Sequence, residues 1–511
     1  CGITHAFVNW GSDHPGYWKS SSGNRSRGTD FRLRPGFWEA RAVIVHTDVG
    51  TQVRLAGAVH NADKSRTPVL IYAGASPSTV DQDIRGGRNE WNMYTQDIHD
   101  QPAIVRQYMR FTAQISSSKH VSQMIMSEPQ GPIMEEEITD IPEPSGMLKW
   151  PIIEPAALSE SAAKRIAQAL SSARHPLIIT SHLGRNPAAV DSLLALSMLL
   201  ALPIVATCPA VVNTPFSHPY FCKLTYLQPG THSPLLRRAD VILVLDADIA
   251  WVPANEAPSA SARVFVLNSA DPLNTNVGYW HVDAELVAKA DAASALEQIF
   301  TEVRALDTVA RDVGKPILHT EGVLARGKRK AKVHADWRLT AANALGGLRK
   351  ALAGKRTLVL NEGVTNYPAV WEHLRPEARR WGRISGRQSQ PCRGRDCAFD
   401  IVVAIVGDGS FVFGAPSAAY WMARRYDTPY LTVILNNGGW QVSHNDRLSI
   451  GMGAECPDYS QIAVAASGNV AWGRRVASDT SLDDLNVMLT EAVSVVVEQG
   501  RCAVLDVQIE A

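Results

Sequence analysis

Residues 402–440, VVAIVGDGSFVFGAPSAAYWMARRYDTPYLTVILNNGGW, hold two continuous apolar runs separated by a segment of helical length. The first run ends in Gly407-Asp408-Gly409 and the second, after a further 26 residues, in Asn436-Asn437. Apolar runs without polar alternation are strands buried on both faces, and those belong to parallel sheets covered by helices. Joining two parallel strands needs a crossover, so strand, helix and strand make one βαβ unit. Both polar tips then open on one edge of the sheet, where open α/β folds bind ligands. Gly407 and Gly409 allow a tight turn whose amides can face an anion. Asp408 offers a carboxylate and Asn437 an amide oxygen, the hard donors that Mg²⁺ takes beside phosphates and water. Pro416 opens the helix PSAAYWMARRY. Two ordinary βα turns would use the same residue types. The joint occurrence at this spacing, each time after an apolar strand, favours one cation–diphosphate group held between two strand ends.

The same alternation runs through the chain and gives an α/β fold class with three doubly wound parallel-sheet domains. The first domain, 1–150, carries AVIVHTDVG (42–50) and TPVLIYAGASP (67–77). The second, 151–310, contains helix SESAAKRIAQALSSA, strand HPLIITS, helix AAVDSLLALSMLLAL and strand PIVATCP, then ADVILVLDADIAWVP and SARVFVLNSADP. A basic segment, 311–337, reads as a solvated linker, since no aromatic residues interleave its charges. The third domain, 338–511, holds KRTLVLNEGVTN, the stretch above and a closing strand CAVLDVQIE after a long helix.

Hydrophobic residues make up 45% and charged residues 20% of the 511-residue chain, the composition of a globular protein with sizeable cores. Net charge is zero, so no global field attracts nucleic acid or a membrane surface. No apolar run reaches the roughly 18 residues of a membrane span. The seven cysteines are scattered, which suits a reducing compartment; Cys392 and Cys397 lack a second pair for a structural zinc. The expected location is the cytoplasm. The chain opens with Cys1 rather than Met, so a preceding segment and a mitochondrial address stay open.

Gly-Asp-Gly followed at this spacing by Asn-Asn resembles the signature of thiamine diphosphate enzymes, of the acetolactate synthase, pyruvate decarboxylase and benzoylformate decarboxylase group. FVNWGSDHP (7–15), VIVHTDVGTQ (43–52), TPVLIYAGASP and YTQDIHDQPAIVRQYMR (94–110) are similar to that group's pyrimidine-binding domain, and 155–305 to its central domain. The resemblance implies thiamine diphosphate and Mg²⁺ as cofactors. It implies Asp408, Asn437 and the Gly439 carbonyl as metal ligands, and Gly407, Asp408, Gly409, Ser410, Asn437, Gly439 and Thr365 as cofactor-binding residues. It also implies decarboxylation or carboligation of small 2-oxo acids, acetolactate synthase-like, in a homodimer or homotetramer, because the cofactor lies between two subunits. The aspartates of DADIAWVP (246–253) could suggest the FAD of acetolactate synthases, although closing a strand accounts for them.

Two windows depart from the family pattern. Residues 19–38, extending into the irregular stretch to 41, occupy the place of the family's catalytic glutamate yet contain none; Glu39 stands too close to the next strand. Residues 379–397 hold six arginines by 395 and only Ile384 as an aliphatic residue where the family bends its cofactor. A homologue that binds cofactor without turnover, or a shifted reading frame over two short stretches, would each produce this pattern. His14 in GSDHP is the remaining acid–base candidate, as His titrates near neutrality. His5, His46, His60 and His444 are weaker ones. Gln96 and Asp97 resemble the substrate-facing segment, with helix capping by Asp97 the plainer alternative.

Overall fold

The computed structural model describes residues 3–8, 40–45, 49–64, 69–74, 91, 95–110, 112, 154–229, 231, 234–270, 283–306, 339–376, 399–441, 449–451 and 456–509. The chain forms two compact units, Cys1–Ile153 and Glu154–Ala511. In the first, strands β1 (Ile3–Val8), β2 (Ala40–Val45) and β3 (Val69–Ala73) pair parallel in that order. Helix α1 (Val49–Lys64) supplies the crossover from β2 to β3.

The second unit holds two parallel sheets. Its N-terminal half runs α2 (Glu160–Ser172), β4 (Pro176–Thr180), α3 (Pro187–Leu200), β5 (Ile204–Thr207), β6 (Phe221–Thr225), α4 (Pro234–Arg238), β7 (Val241–Leu245), β8 (Arg263–Asn268), β9 (Leu286–Lys289) and α5 (Ala292–Ala305). The six strands stand in the order β6-β5-β4-β7-β8-β9. Side chains alternate between two cores, as period-2 geometry requires. Ile178, Leu243 and Leu245 face α2, α3 and α5, while Leu177, Ile179, Ile242 and Val244 pack with Leu236 and Trp251. Local chemistry starts three of these helices: Ser159 Oγ accepts from Ala162 N, Asn186 Oδ1 from Ala188 N just ahead of Pro187, and Asp291 Oδ1 from Ser294 N.

The C-terminal half comprises α6 (Ala341–Ala351), β10 (Thr357–Glu362), α7 (Tyr367–Leu374), β11 (Ile401–Gly407), α8 (Asp408–Phe413), α9 (Pro416–Arg425), β12 (Leu431–Asn436), β13 (Gly439–Gln441), β14 (Ser449–Gly451), α10 (Tyr459–Ala466), β15 (Trp472–Val476), α11 (Leu482–Val497) and β16 (Ala503–Gln508). Five strands form a parallel sheet in the order β10-β11-β12-β16-β15, and β13 and β14 make a small antiparallel pair. Val403, Ile405 and Val433 pack under α6 and α11; Val402, Ile434 and Val504 pack with Phe411, Tyr420 and Tyr459. Both sheets are thus covered on two faces, the doubly wound arrangement expected from the apolar runs.

One local expectation needs correction. PSAAYWMARRY does begin a helix at Pro416, but DGSFVF before it is already helical. Gly407 is the N-cap of α8, which breaks at Ala415 in the left-handed region (φ 51°) before α9 begins. Asp408 is therefore the first residue of a helix rather than a member of an open turn.

Candidate functional site

The register of the five-stranded sheet sets the geometry. Glu362 pairs with Val406 and Gly407 with Leu435, so the C-terminal tips of β10, β11 and β12 are adjacent. Past β10, Gly363 leads into a 3₁₀ turn, Val364–Asn366, that places exposed Thr365 beyond this edge. Past β11 comes Asp408, and past β12 come Asn437, Gly438 and Gly439. The seven residues expected from the sequence to bind a diphosphate or cation thus lie at or just past three neighbouring strand ends, Gly407 as the last residue of β11.

Asp408 is 2% exposed. Its Oδ1 accepts from Gly409 N at 2.8 Å, whereas its Oδ2 is buried without a hydrogen-bond partner. Burial pushes the carboxyl above the usual carboxylate range, and the amides of Gly409, Gly439 and Gly438 work against that shift. An orphaned carboxylate oxygen in a buried place is costly unless a ligand meets it. The set of one carboxylate, one amide oxygen and one backbone carbonyl fits a hard cation of magnesium's preferences. Among the described residues no three His, Cys, Asp or Glu side chains cluster as a metal site, so softer multi-histidine coordination finds no support there.

The β12 turn is shaped by Asn436, to which the sequence reading gave no role beside Asn437. Its Oδ1 accepts from Gly438 N at 3.1 Å, and its Nδ2 donates to Asp506 Oδ1 at 2.8 Å. Gly438 has φ +83° and Gly439 φ +145°, backbone that side chains resist. Asp506, fully buried, also accepts from Tyr459 N at 3.3 Å, and Arg475 Nε lies 3.8 Å from it. Tyr459 is likewise fully buried, and its hydroxyl has no hydrogen-bond partner. Burial, reinforced by the charge of Asp408, pushes that hydroxyl up to about 12.

Other candidates fall elsewhere. Asp246 closes β7 against β8: its Oδ1 accepts from Ser269 N at 2.7 Å and Ser269 Oγ at 2.6 Å, which supports the strand-ending account. Asp248 meets His182 Nε2 at 3.1 Å, and Trp251 packs in the core. In the first unit, Asp100 rather than Asp97 occupies the N-cap position of the turn Gln101–Ile104, so the capping alternative for Asp97 falls. Gln52 Nε2 donates to Gly74 O at 2.8 Å and Gln101 Nε2 to Gln52 Oε1 at 2.6 Å, a pairing not foreseen. His60 faces Tyr108 OH at 3.2 Å. His14, Glu39, His46, His444 and both irregular windows up to residue 39 and over 379–397 lie outside the described residues, and His5 is described in its backbone alone.

Comparison with known proteins follows the same lines. Residues 163–299 match the central domain of thiamine pyrophosphate enzymes, and residues 396–507 match their C-terminal TPP-binding domain. No curated protein sequence matches the chain. Among solved structures, a thiamine diphosphate-dependent 4-hydroxybenzoylformate decarboxylase of Rhodococcus jostii RHA1 is similar with a TM-score of 0.72 at 19% identity, covering 100% of this chain and 97% of that one. The benzoylformate decarboxylase of Polynucleobacter necessarius has a TM-score of 0.69 at 16% identity, covering 100% and 96%. The chain thus carries the central domain and the C-terminal TPP-binding domain of thiamine pyrophosphate enzymes, with the Gly407-Asp408-Gly409 and Asn436-Asn437 tips inside the second of them.

Proposed function

We propose that the chain is a thiamine diphosphate- and Mg²⁺-dependent decarboxylase of small 2-oxo acids. The observation that carries the reading is the buried, unpartnered Oδ2 of Asp408 beside the Asn437–Gly439 turn. Asp408, Asn437 and the Gly439 carbonyl would hold the cation. Gly407, Gly409, Ser410 and Thr365 would border the diphosphate. When bound, thiamine diphosphate supplies the electron sink that lets a 2-oxo acid lose carbon dioxide. The protein's part is to fix that group and to keep water from the reacting carbons. Aryl 2-oxo acids are the first substrates to try, since two structural relatives are named for them. Carboligation, as in acetolactate synthases, is the other fate of the same chemistry, and FAD finds no supporting feature.

In this reading 1–150 binds the pyrimidine, 151–310 is the central domain, 311–337 a linker and 338–511 the diphosphate domain. The family's shared site makes a homodimer or homotetramer the working unit, in the cytoplasm or a mitochondrion. His14 is retained as a substrate acid–base candidate. A second reading, a homologue that binds cofactor without turnover, is favoured by one observation: 19–38 contains no glutamate. Loss of a positioned acid–base group typically costs about 10²–10⁴-fold in rate.

One experiment separates these readings. Cofactor binding is measured by calorimetry with Mg²⁺, and CO₂ release from benzoylformate and pyruvate by a coupled assay. Binding with turnover supports the decarboxylase, and binding without turnover supports the second reading. Absence of binding overturns both.

A further inference from the structure

Asn436 sits at a point where the fold must choose an orientation for an amide. Its backbone carbonyl accepts from Ile509 N at 2.8 Å, which ties the end of β12 to the residue after β16. Its side chain is 3% exposed and has two neighbours of opposite demand. Gly438 N can only donate, and Asp506, when ionised, can only accept. The observed arrangement satisfies both, with Oδ1 toward Gly438 and Nδ2 toward Asp506. Rotating the amide by half a turn would set a donor against a donor and an oxygen against an oxygen.

We propose that Asp506 is a positioning residue for the cofactor site. By accepting from Asn436 Nδ2 it fixes the Asn436 amide, and through the Gly438 amide it sets the turn that presents Asn437 and Gly439. The proposal rests on the diphosphate reading above, yet names a residue that never reaches the ligand. Asp506 is suited to the task. It lies in β16 opposite Ile434, two positions before Asn436 on the same face of β12. Its other oxygen is taken by Tyr459 N, and Arg475 stands close enough to offset its charge. Outer-layer partners of this kind typically change metal affinity by about 10–100-fold.

The chemistry of the pair supplies its own control. In Asp506→Asn, one end of the new amide must serve Tyr459 N, which leaves an N–H facing Asn436 Nδ2. Asn436 then turns over and faces Gly438 N with a donor, so one clash remains either way. Adding Asn436→Asp removes it. The new carboxylate then accepts from the amide nitrogen at position 506 with one oxygen and from Gly438 N with the other, while the amide oxygen at position 506 still serves Tyr459 N.

The test titrates the full-length protein with thiamine diphosphate and Mg²⁺ by calorimetry and follows amide hydrogen exchange at Gly438. Asp506→Asn is expected to weaken binding by about 10–100-fold and to speed exchange at Gly438; the double variant regains most of both. A purely structural role would lower the melting temperature but leave the affinity of folded molecules unchanged. Should Asp506→Asn not fold, Asn436→Ala, which keeps the Tyr459 and Arg475 contacts of Asp506, must show the same loss of affinity. Binding by the wild type with equal affinity in the folded variant overturns this inference alone. A wild type that binds nothing overturns the diphosphate reading and this inference with it.

Discussion

Asp408→Asn tests the proposed cation site from two sides. This carboxylate is 2% exposed, its Oδ2 has no partner, and burial raises its proton affinity. A buried polar group without its hydrogen bond costs about 1–3 kcal/mol, and more when charged. Asparagine keeps the acceptor for Gly409 N and removes the charge but leaves Nδ2 in the same unpartnered place, so only the excess cost of the charge is relieved and the variant without cofactor is expected to be more stable at neutral pH by about 1 kcal/mol. The sign with pH follows from the raised folded-state pKa. The wild-type carboxyl stabilises the fold below its unfolded value of 3.8, and that contribution is lost as pH rises through the folded value. The variant's advantage is therefore full near neutrality and fades on acidification. Ligand linkage acts the other way. At 100 times Kd, Mg²⁺ and thiamine diphosphate stabilise the wild type by about 2.7 kcal/mol. The variant, lacking the anionic ligand, gains almost nothing. Urea unfolding at pH 7 and pH 5, with and without cofactor, should show the stability order invert on loading. A cofactor-free variant less stable than wild type at pH 7, or one that keeps the Mg²⁺-dependent gain, would refute the reasoning.

Trp371→Ala should destabilise the second unit by about 3–5 kcal/mol, because it empties a buried indole site; Trp371→Phe should cost about 1 kcal/mol through the lost bond to Tyr226 OH, both read by chemical unfolding. Tyr420→Phe removes the 2.7 Å bond to Thr432 Oγ1 and leaves that buried hydroxyl unmet, so unfolding should come about 1–3 kcal/mol sooner. At Gly438 a Cβ would meet open space, so Gly438→Ala should cost only the left-handed backbone penalty, about 1–2 kcal/mol, together with weaker cofactor binding by calorimetry.

The sheets were legible where strands are central. Pro176–Thr180, Val241–Leu245, Ile401–Gly407 and Leu431–Asn436 read as apolar runs because both of their faces are covered. Leu286–Lys289 and Trp472–Val476 escaped that reading for the complementary reason. Each is an edge strand, and the one carries half-exposed alternation, the other two arginines. Helix α8 was missed since its glycine and serine resemble a turn; it forms where the chain leaves β11 and buries Phe411. That Asp408 and Asn437 follow adjacent parallel strands was legible from spacing within one βαβ unit. The bond from Asn436 to Asp506 spans 70 positions, and no local pattern announces a partner that only strand order brings near.

Helix α7 has a consequence for how this chain can be divided. It begins one residue after the turn bearing Thr365, yet its Trp371 is counted among the core residues of the six-stranded sheet. The indole donates to Tyr226 OH at 3.0 Å and stacks with Phe216, Tyr367 stacks with Tyr226, and Pro376 O accepts from Phe216 N. A cut in the basic stretch 311–337 would therefore leave a tryptophan-sized hollow in one product and a bare indole on the other. Recombination between relatives can exchange 154–511 as one block, but a crossover inside it must carry matching residues at 216, 226, 367 and 371.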